Sequence, residues 1–464
     1  MQTAGLRKRI WGWFFFDWAS QPYHTLLVTF VFGPYFAAVA TQHFMGTGLP
    51  EQAADARAQS LWSLGLTVSG LVVGLAAPVL GALADAAGRR MPWIIAFSAL
   101  CVLGSGSLWW AMPDGSNLAF ALFAFGIGFV GVEFALIFTN AQLPTLGPAR
   151  DIGKISGSGF AFGYLGGLIS LIVMLTFFVE GESGTTFFGL APAFGLDPET
   201  REGTRFVGPF SAIWFAVFMI PYFIWVREEQ TLRKRAHAVE SLKQLLDRLR
   251  ALPRRPSLAS FLGGSMLYRD GLNGLYAFGG TYAVLVLNWE ITRVGIFGII
   301  GVISAAAMCW VGGGVDRRFG PKPVIAVCIA ALILVCFTIM SVRPDSIFGL
   351  PVAAYCGSPG AMCKELPHVI FMTCGALIGG FGGILQAASR TLMVRHTDPE
   401  TATEAFGLYG LAGRATSFLA PLLIGIVTAM SGSVALGMTP IIALFAAGAV
   451  LLRWTDPKGD RAEK

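Results

Sequence analysis

The sequence predicts an all-α polytopic membrane protein with twelve transmembrane helices in two six-helix halves. Three observations carry that expectation. First, 55% of the 464 residues are hydrophobic and only 13% are charged, whereas soluble domains carry about 25% charged residues. Second, stretches long enough to cross about 30 Å of hydrocarbon recur along the chain. Third, a glycine-aspartate-basic turn occurs twice, each time between two apolar runs. Gly81, Asp85, Arg89 and Arg90 form one copy, and Gly312, Asp316, Arg317 and Arg318 form the other. In both, three residues separate glycine from aspartate. A repeated turn in a membrane protein implies two similar halves.

Apolar windows set against charges and turns place the spans. The first half takes 11–41, 61–83, 92–111, 118–142, 155–179 and 208–226. The second takes 258–288, 294–315, 323–341, 367–392, 405–430 and 434–453. Arg7, Lys8 and Arg9 precede an apolar run far longer than a signal-peptide core, so that run reads as the first span and not as a cleaved leader.

Lysine and arginine set the orientation. Segments on the side of the N-terminus hold 24 of the 33, and those on the opposite side hold six. Such a bias places both termini in the cytoplasm. The net charge of +6 is then topological, and nucleic acid is not an expected partner. Residues 1–226 and 258–464 are the expected bundles, the second with a cytoplasmic tail. The linker 227–257 joins them. In it Leu232, Val239, Leu242, Leu245, Leu246 and Leu249 recur at helical spacing among basic residues, the pattern of an amphipathic helix on anionic lipid. Five cysteines lie in apolar segments and read as small buried hydrophobes. Cys356 and Cys363 share a polar loop and either form a disulfide in an oxidising compartment or stay free. The long segment from Glu180 to Gly208, rich in Gly, Pro and Phe, reads either as a vestibule cover or as an ordinary loop.

Six plus six spans with matched turns resemble the major facilitator superfamily, whose signature is a turn of this kind. The physical logic stands independently. Glycine permits close helix contact, the aspartate accepts hydrogen bonds from helix ends, and the arginines hold the turn at the cytoplasmic surface. Gly81, Asp85, Arg89, Arg90, Gly312, Asp316, Arg317 and Arg318 are therefore the candidate cytoplasmic gate, with a plain topology anchor as the alternative.

Ionisable residues inside a membrane each need a water path, a partner or a function. Asp17 stands in the first span beside Trp18 and Tyr23, and Pro22 there removes a backbone hydrogen bond and breaks the helix locally. Arg269 and Asp270 stand in the seventh span and, being adjacent, point in different directions. Glu133 falls near the middle of the fourth span, with Asn140 seven residues on and on the same face. Arg390 ends the tenth span, and Arg414 lies inside the eleventh among the small residues Gly407, Gly410 and Gly413. Asp17, Trp18, Tyr23, Glu133, Asn140, Arg269, Asp270, Arg390 and Arg414 are thus the candidates for substrate binding or coupling. Packing and structural pairing are the rival readings. A pairing of Glu133 with Arg414 suits an amino-acid-like solute, because arginine holds a carboxylate bidentately.

A closer resemblance is carried by Phe16 to Tyr23, Phe32 to Phe36, Asn140 to Pro144, Gln386 to Arg390 and Glu404 to Pro421. These look like the fungal vacuolar amino-acid effluxer family and its bacterial homologues. The resemblance implies secondary transport, with amino-acid efflux in the fungal members. Two positions depart from the family pattern: Arg414 stands where lysine is common, and Ser20-Gln21-Pro22 replaces a commoner asparagine-containing run.

The expected protein is a monomeric secondary transporter in a bacterial inner membrane, moving a small polar or zwitterionic solute by alternating access. No nucleotide-binding P-loop, nucleophile-base set or metal cluster stands out in the sequence, so neither enzyme activity nor a cofactor is expected. Asp17, Glu133 and Asp270 favour a proton as the coupling ion; sodium coupling and uniport are the alternatives. Export of amphipathic compounds or drugs, cation-coupled sugar import and a nontransporting sensor are the rival functions.

Overall fold

In the computed structural model the chain is helical almost throughout. It describes residues 2–181, 183–227, 243, 246–247, 250, 252–287, 289, 291–356, 361–416 and 419–459. The expected surface helix of the linker lies largely outside the described residues, and of its apolar positions only Leu246 is placed, exposed. The side chains of Cys356, Cys363 and Arg414 also lie outside them, and with them the choice between bridged and free for the two cysteines. The other five cysteines are buried, and none is in a disulfide.

Among the described residues, seven long α-helices and one short turn of α-helix, Glu202–Arg205, belong to the first half of the sequence. The seven are α1 (Gln2–Pro22), α2 (Phe32–Gly46), α3 (Glu51–Ala87), α4 (Met91–Ser107), α5 (Leu118–Asn140), α6 (Ile152–Phe177) and α7 (Val207–Trp225). A π-helical segment, Tyr23–Phe30, joins α1 to α2. The second half contributes α8 (Pro256–Leu287), α9 (Ile291–Phe319), α10 (Pro321–Ser341), α11 (Ala361–Arg395), α12 (Ala402–Ala415), α13 (Leu419–Ser431) and α14 (Thr439–Leu452). A two-stranded antiparallel hairpin, Ser346–Ile347 with Leu350–Pro351, lies between α10 and α11.

Among the described residues nine helical stretches are long and apolar enough to cross a membrane, and two further apolar helices are shorter. Helix α8 is 32 residues long, but Arg269, Asp270 and Asn273 lower its apolar character at mid-length. The protein is therefore an all-α polytopic membrane protein. One expected span needs correction: 405–430 is not one helix but two, α12 and α13. Pro421 explains the restart. It has no N–H to give four residues back, and so it sits in the first turn of α13, where amides lack intrahelical partners.

Outward faces are apolar. On α3, Leu64, Val68, Leu71 and Leu75 are all exposed and share one face by their spacing. That face suits lipid and would be costly in water. The chain divides into two compact units, residues 1–142 with 162–242 and residues 143–161 with 243–464.

Candidate functional site

In the first unit the sequence breaks its own helix at Pro22. That residue cannot donate to the Trp18 carbonyl, and the Trp214 indole Nε1–H does so instead, at 3.2 Å. The chain then leaves the α-helical ladder for the π-helix Tyr23–Phe30, where Val31 N–H donates five residues back to Leu26 O at 2.9 Å. π-Helical turns present side chains in directions an α-helix does not. Buried Tyr23 donates from its hydroxyl to Phe125 O at 2.6 Å. His24, the next residue, brings Nε2 to 3.8 Å from Glu133 Oε1, with Glu133 buried on α5.

Helix α1 is held against α6 along a strip of glycines. A Cβ at Gly163 would stand 3.1 Å from Asp17 O, and one at Gly166 would stand 2.8 Å from Trp18 O. Only glycine allows this approach. Asp17 is buried. The Trp18 ring stacks on Trp214 at 5.9 Å and packs on Phe162 at 4.6 Å. Asn140, half-buried, is the last residue of α5. Its neighbour Thr139 offers a carbonyl to Trp13 Nε1 at 3.0 Å.

The second unit holds the other candidates. Arg269 turns to α12: Nη1 donates to Tyr409 O at 3.1 Å, and the guanidinium lies 4.4 Å from the Tyr409 ring centroid. Asp270, 2% exposed, accepts from Ala420 N–H at 3.0 Å, at the first turn of α13. Its other oxygen, Oδ1, is buried without a hydrogen-bond partner among the described residues. Arg390, also 2% exposed, donates from Nε to Ser156 Oγ at 2.9 Å and from Nη2 to Ser156 O at 2.8 Å. Its guanidinium lies 4.1 Å from the Phe160 ring centroid. Arg414 is on α12, its side chain outside the described residues.

The two turns differ. Gly81 and Asp85 are buried, and Arg89 is exposed. Arg90 reaches Asp85 Oδ1 with Nη2 at 2.9 Å and Nε at 3.2 Å, and Ala141 O beyond α5 with Nη1 at 3.4 Å. Gly312 is buried against Ile384. Asp316 is buried against Gly153 in the first turn of α6. Exposed Arg317 pairs with Asp151 at 2.8 Å, and Arg318 lies over the Phe319 ring at 5.2 Å. The candidates thus fall into separate groups: Asp17, Trp18 and Tyr23 with α5, α6 and α7; Arg269 and Asp270 with α12 and α13; Arg390 and Asp316 with 143–161.

Residues 148–464 match the family described as "Vacuole effluxer Atg22 like". The chain belongs to this family. Over most of its length this Atg22-like chain is also similar to an uncharacterised MFS-type transporter of Bacillus subtilis (strain 168), YxiO, with 24% identity over 95% of this chain and 93% of the relative. Solved structures share the fold. The proton:xylose symporter XylE aligns with a TM-score of 0.67 at 14% identity, over 98% of this chain and 95% of that one. The E. coli fucose:proton symporter FucP gives 0.64 at 15%, over 97% of each. The human organic anion transporter MFSD10 gives 0.66 at 15%, over 96% and 99%. Family and fold together make this Atg22-like chain an MFS-type secondary transporter and not an enzyme. His24 is the residue that sequence reasoning passed over. Its signal was an ionisable side chain within an apolar run, two residues past Pro22.

Proposed function

We propose that the chain moves a small polar, zwitterionic, amino-acid-like solute by proton-coupled alternating access. On this reading twelve spans form two six-helix halves, 1–226 and 258–464, joined by the linker 227–257. The protein works as a monomer in a bacterial inner membrane with both termini in the cytoplasm, and Asp85 and Asp316 belong to its cytoplasmic gate. The observation that carries the reading is Asp270: a carboxyl buried within a span, one oxygen held by the Ala420 amide and the other without a hydrogen-bond partner among the described residues. Ionised, it is a buried charge held by one amide; protonated, it places its proton on the free oxygen. A group with two such states can take up and release a proton as its surroundings change. Glu133, buried with His24 Nε2 at 3.8 Å from its Oε1, is a second buried carboxyl in a span. The family's description as an effluxer supports transport of a solute out of a compartment.

The test is flux in proteoliposomes holding the purified protein, with a panel of amino acids, a betaine, sugars and a lipophilic cation, with and without a pH gradient. Accumulation of an amino acid that follows the gradient is expected, and Asp270→Asn or Glu133→Gln should uncouple it while the protein remains folded. Flux of the solute that is indifferent to the gradient and to both substitutions would overturn proton coupling. Flux of only the sugar or the lipophilic cation would overturn the solute class.

A further inference from the structure

Three Phe-Gly-Leu tripeptides stand outside the α-helices, at 188–190, 194–196 and 348–350, the second of them in a short 3-10 turn, Ala193–Gly195. The phenylalanines are all exposed, Phe188 at 66%, Phe194 at 85% and Phe348 at 61%. Two of them also occupy a backbone conformation that disfavours them. Phe194 has φ 60° and Gly195 φ 71°, while Phe348 has φ 49° and Gly349 φ 76°. Left-handed backbone costs an ordinary L-residue about 1–2 kcal/mol. Phe348 and Gly349 are the two central residues of a hairpin turn with both φ positive, a position that favours asparagine before glycine. A phenylalanine that is both strained and exposed is an unfavourable choice in water on two counts, so a compensating environment is required.

The surroundings identify that environment. Phe187 N–H donates to Leu175 O in the last turn of α6 at 3.3 Å, and Phe348 N–H donates to Ser341 O at the end of α10 at 3.1 Å. The first and third tips are thus tied to the ends of α6 and α10, and the Phe194 ring lies 5.8 Å from that of Phe178, just past the end of α6. On α6, Leu165, Ile169 and Ile172 form an exposed apolar stripe toward that end, and on α10 Val327, Leu334 and Phe337 do the same. The tips continue lipid-facing surfaces. Residues 183–196 contain no charged side chain.

Their backbone is already satisfied in part, a condition for entering lipid. Gly189 N–H donates to Thr186 O and Thr186 N–H to Leu190 O, both at 2.8 Å, and Gly181 N–H donates to Thr185 O at 2.9 Å. The base of the longer loop is rigid. The buried Glu180 carboxylate accepts from Thr204 Oγ1 at 2.7 Å and pairs with Arg201 at 3.4 Å. Arg205 donates twice to Trp109 O, at 2.6 and 3.0 Å.

We propose that these Phe-Gly-Leu tips are membrane-interface anchors, their phenylalanines seated at the boundary between lipid headgroups and acyl chains. The polar contacts at the base of the longer loop hold the angle at which its tips enter.

The experiment is tryptophan quenching in nanodiscs. Phe194→Trp and Phe348→Trp are each compared with the parent protein in plain lipid and in lipid brominated near the headgroup end of the acyl chain. The emission added by each tryptophan is expected to fall by roughly half or more in brominated lipid, as for a side chain about 5–10 Å into the interface. It should be shielded from aqueous iodide. Added emission that ignores bromine and is quenched by iodide overturns the proposal, and so does shielding from both, which would mean cover by protein. If either variant fails to fold, site-specific 4-fluorophenylalanine at 194 and 348 keeps the native shape. Its fluorine signal should broaden with a gadolinium-headgroup lipid and not with a soluble gadolinium chelate; the reverse overturns the proposal.

Discussion

The turns at Asp85 and Asp316 share a pattern and use it differently. Asp85 is served by Arg90 of its own turn, which also reaches the Ala141 carbonyl. Asp316 is served by no arginine of its own turn among the pairs described; it faces Gly153 at the start of α6, and Arg317 reaches past it to Asp151. The spacing of the basic residue decides the outcome. Five positions separate Asp85 from Arg90, and Gly88 between them turns the chain with φ 66°, so the guanidinium folds back on the carboxylate. Arg317 directly follows Asp316, and adjacent residues on a helix do not face each other. The first turn is a closed clip. The second is a docking surface for residues 143–161 of its own unit, where a carboxylate at a helix N-terminus is favourable.

The largest effect that separates the turns should come from Arg90→Ala. Asp85 is buried, and removing Arg90 takes two hydrogen bonds and a counter-charge from its carboxylate, at a cost of about 3 kcal/mol. Thermal unfolding in nanodiscs should show it as a large loss of stability. Adding Asp85→Asn should restore much of the loss, because the buried carboxylate that lost its counter-charge is then neutral. A double variant no better than Arg90→Ala would show that Arg90 acts through Ala141 instead.

Next in size is Gly157→Leu, aimed at the docking surface alone. A Cβ at Gly157 would lie 2.7 Å from Gly313 Cα, so the added side chain separates α6 from α9. Overpacking of this kind costs about 1–3 kcal/mol. Gly314→Leu, on the next residue of α9, meets nothing within 4 Å and should be neutral. Equal unfolding temperatures for the two variants would remove the distinction between clip and docking surface.

Much of the fold was legible because lipid imposes a simple demand, a long apolar run between charged ends. The turns were legible because glycine and aspartate recur at a fixed spacing with arginines close behind. Pro22 announced a break, but its repair by Trp214 depends on a residue 196 positions away. The break before α13 was missed because Pro421 follows three residues that continue the apolar pattern, and a proline in a first helical turn looks like one inside a helix. Asp270 was visible as a charge in a span, whereas its amide partner at Ala420 is 150 residues distant. Arg390 and Ser156, 234 apart, are equally beyond a local pattern. His24 was overlooked because a neutral imidazole does not register among the charges that mark a span as unusual.

The smallest effect should be that of Arg317→Ala. In chemical terms the change matches Arg90→Ala, yet the setting differs. The side chains of Arg317 and Asp151 are 46% and 29% exposed, so water screens the pair and takes up either charge when the other is lost. Exposed pairs contribute about 0–1 kcal/mol. The contribution should shrink further in high salt, where charges are screened over a few ångströms. Unfolding of Arg317→Ala and its parent at low ionic strength and at about 1 M salt reads this directly: a small gap that closes with salt is expected. A gap as large as that of Arg90→Ala, or one that salt leaves unchanged, would mean that the Asp316 turn is also held by a desolvated ion pair, and the contrast between the two turns would fall.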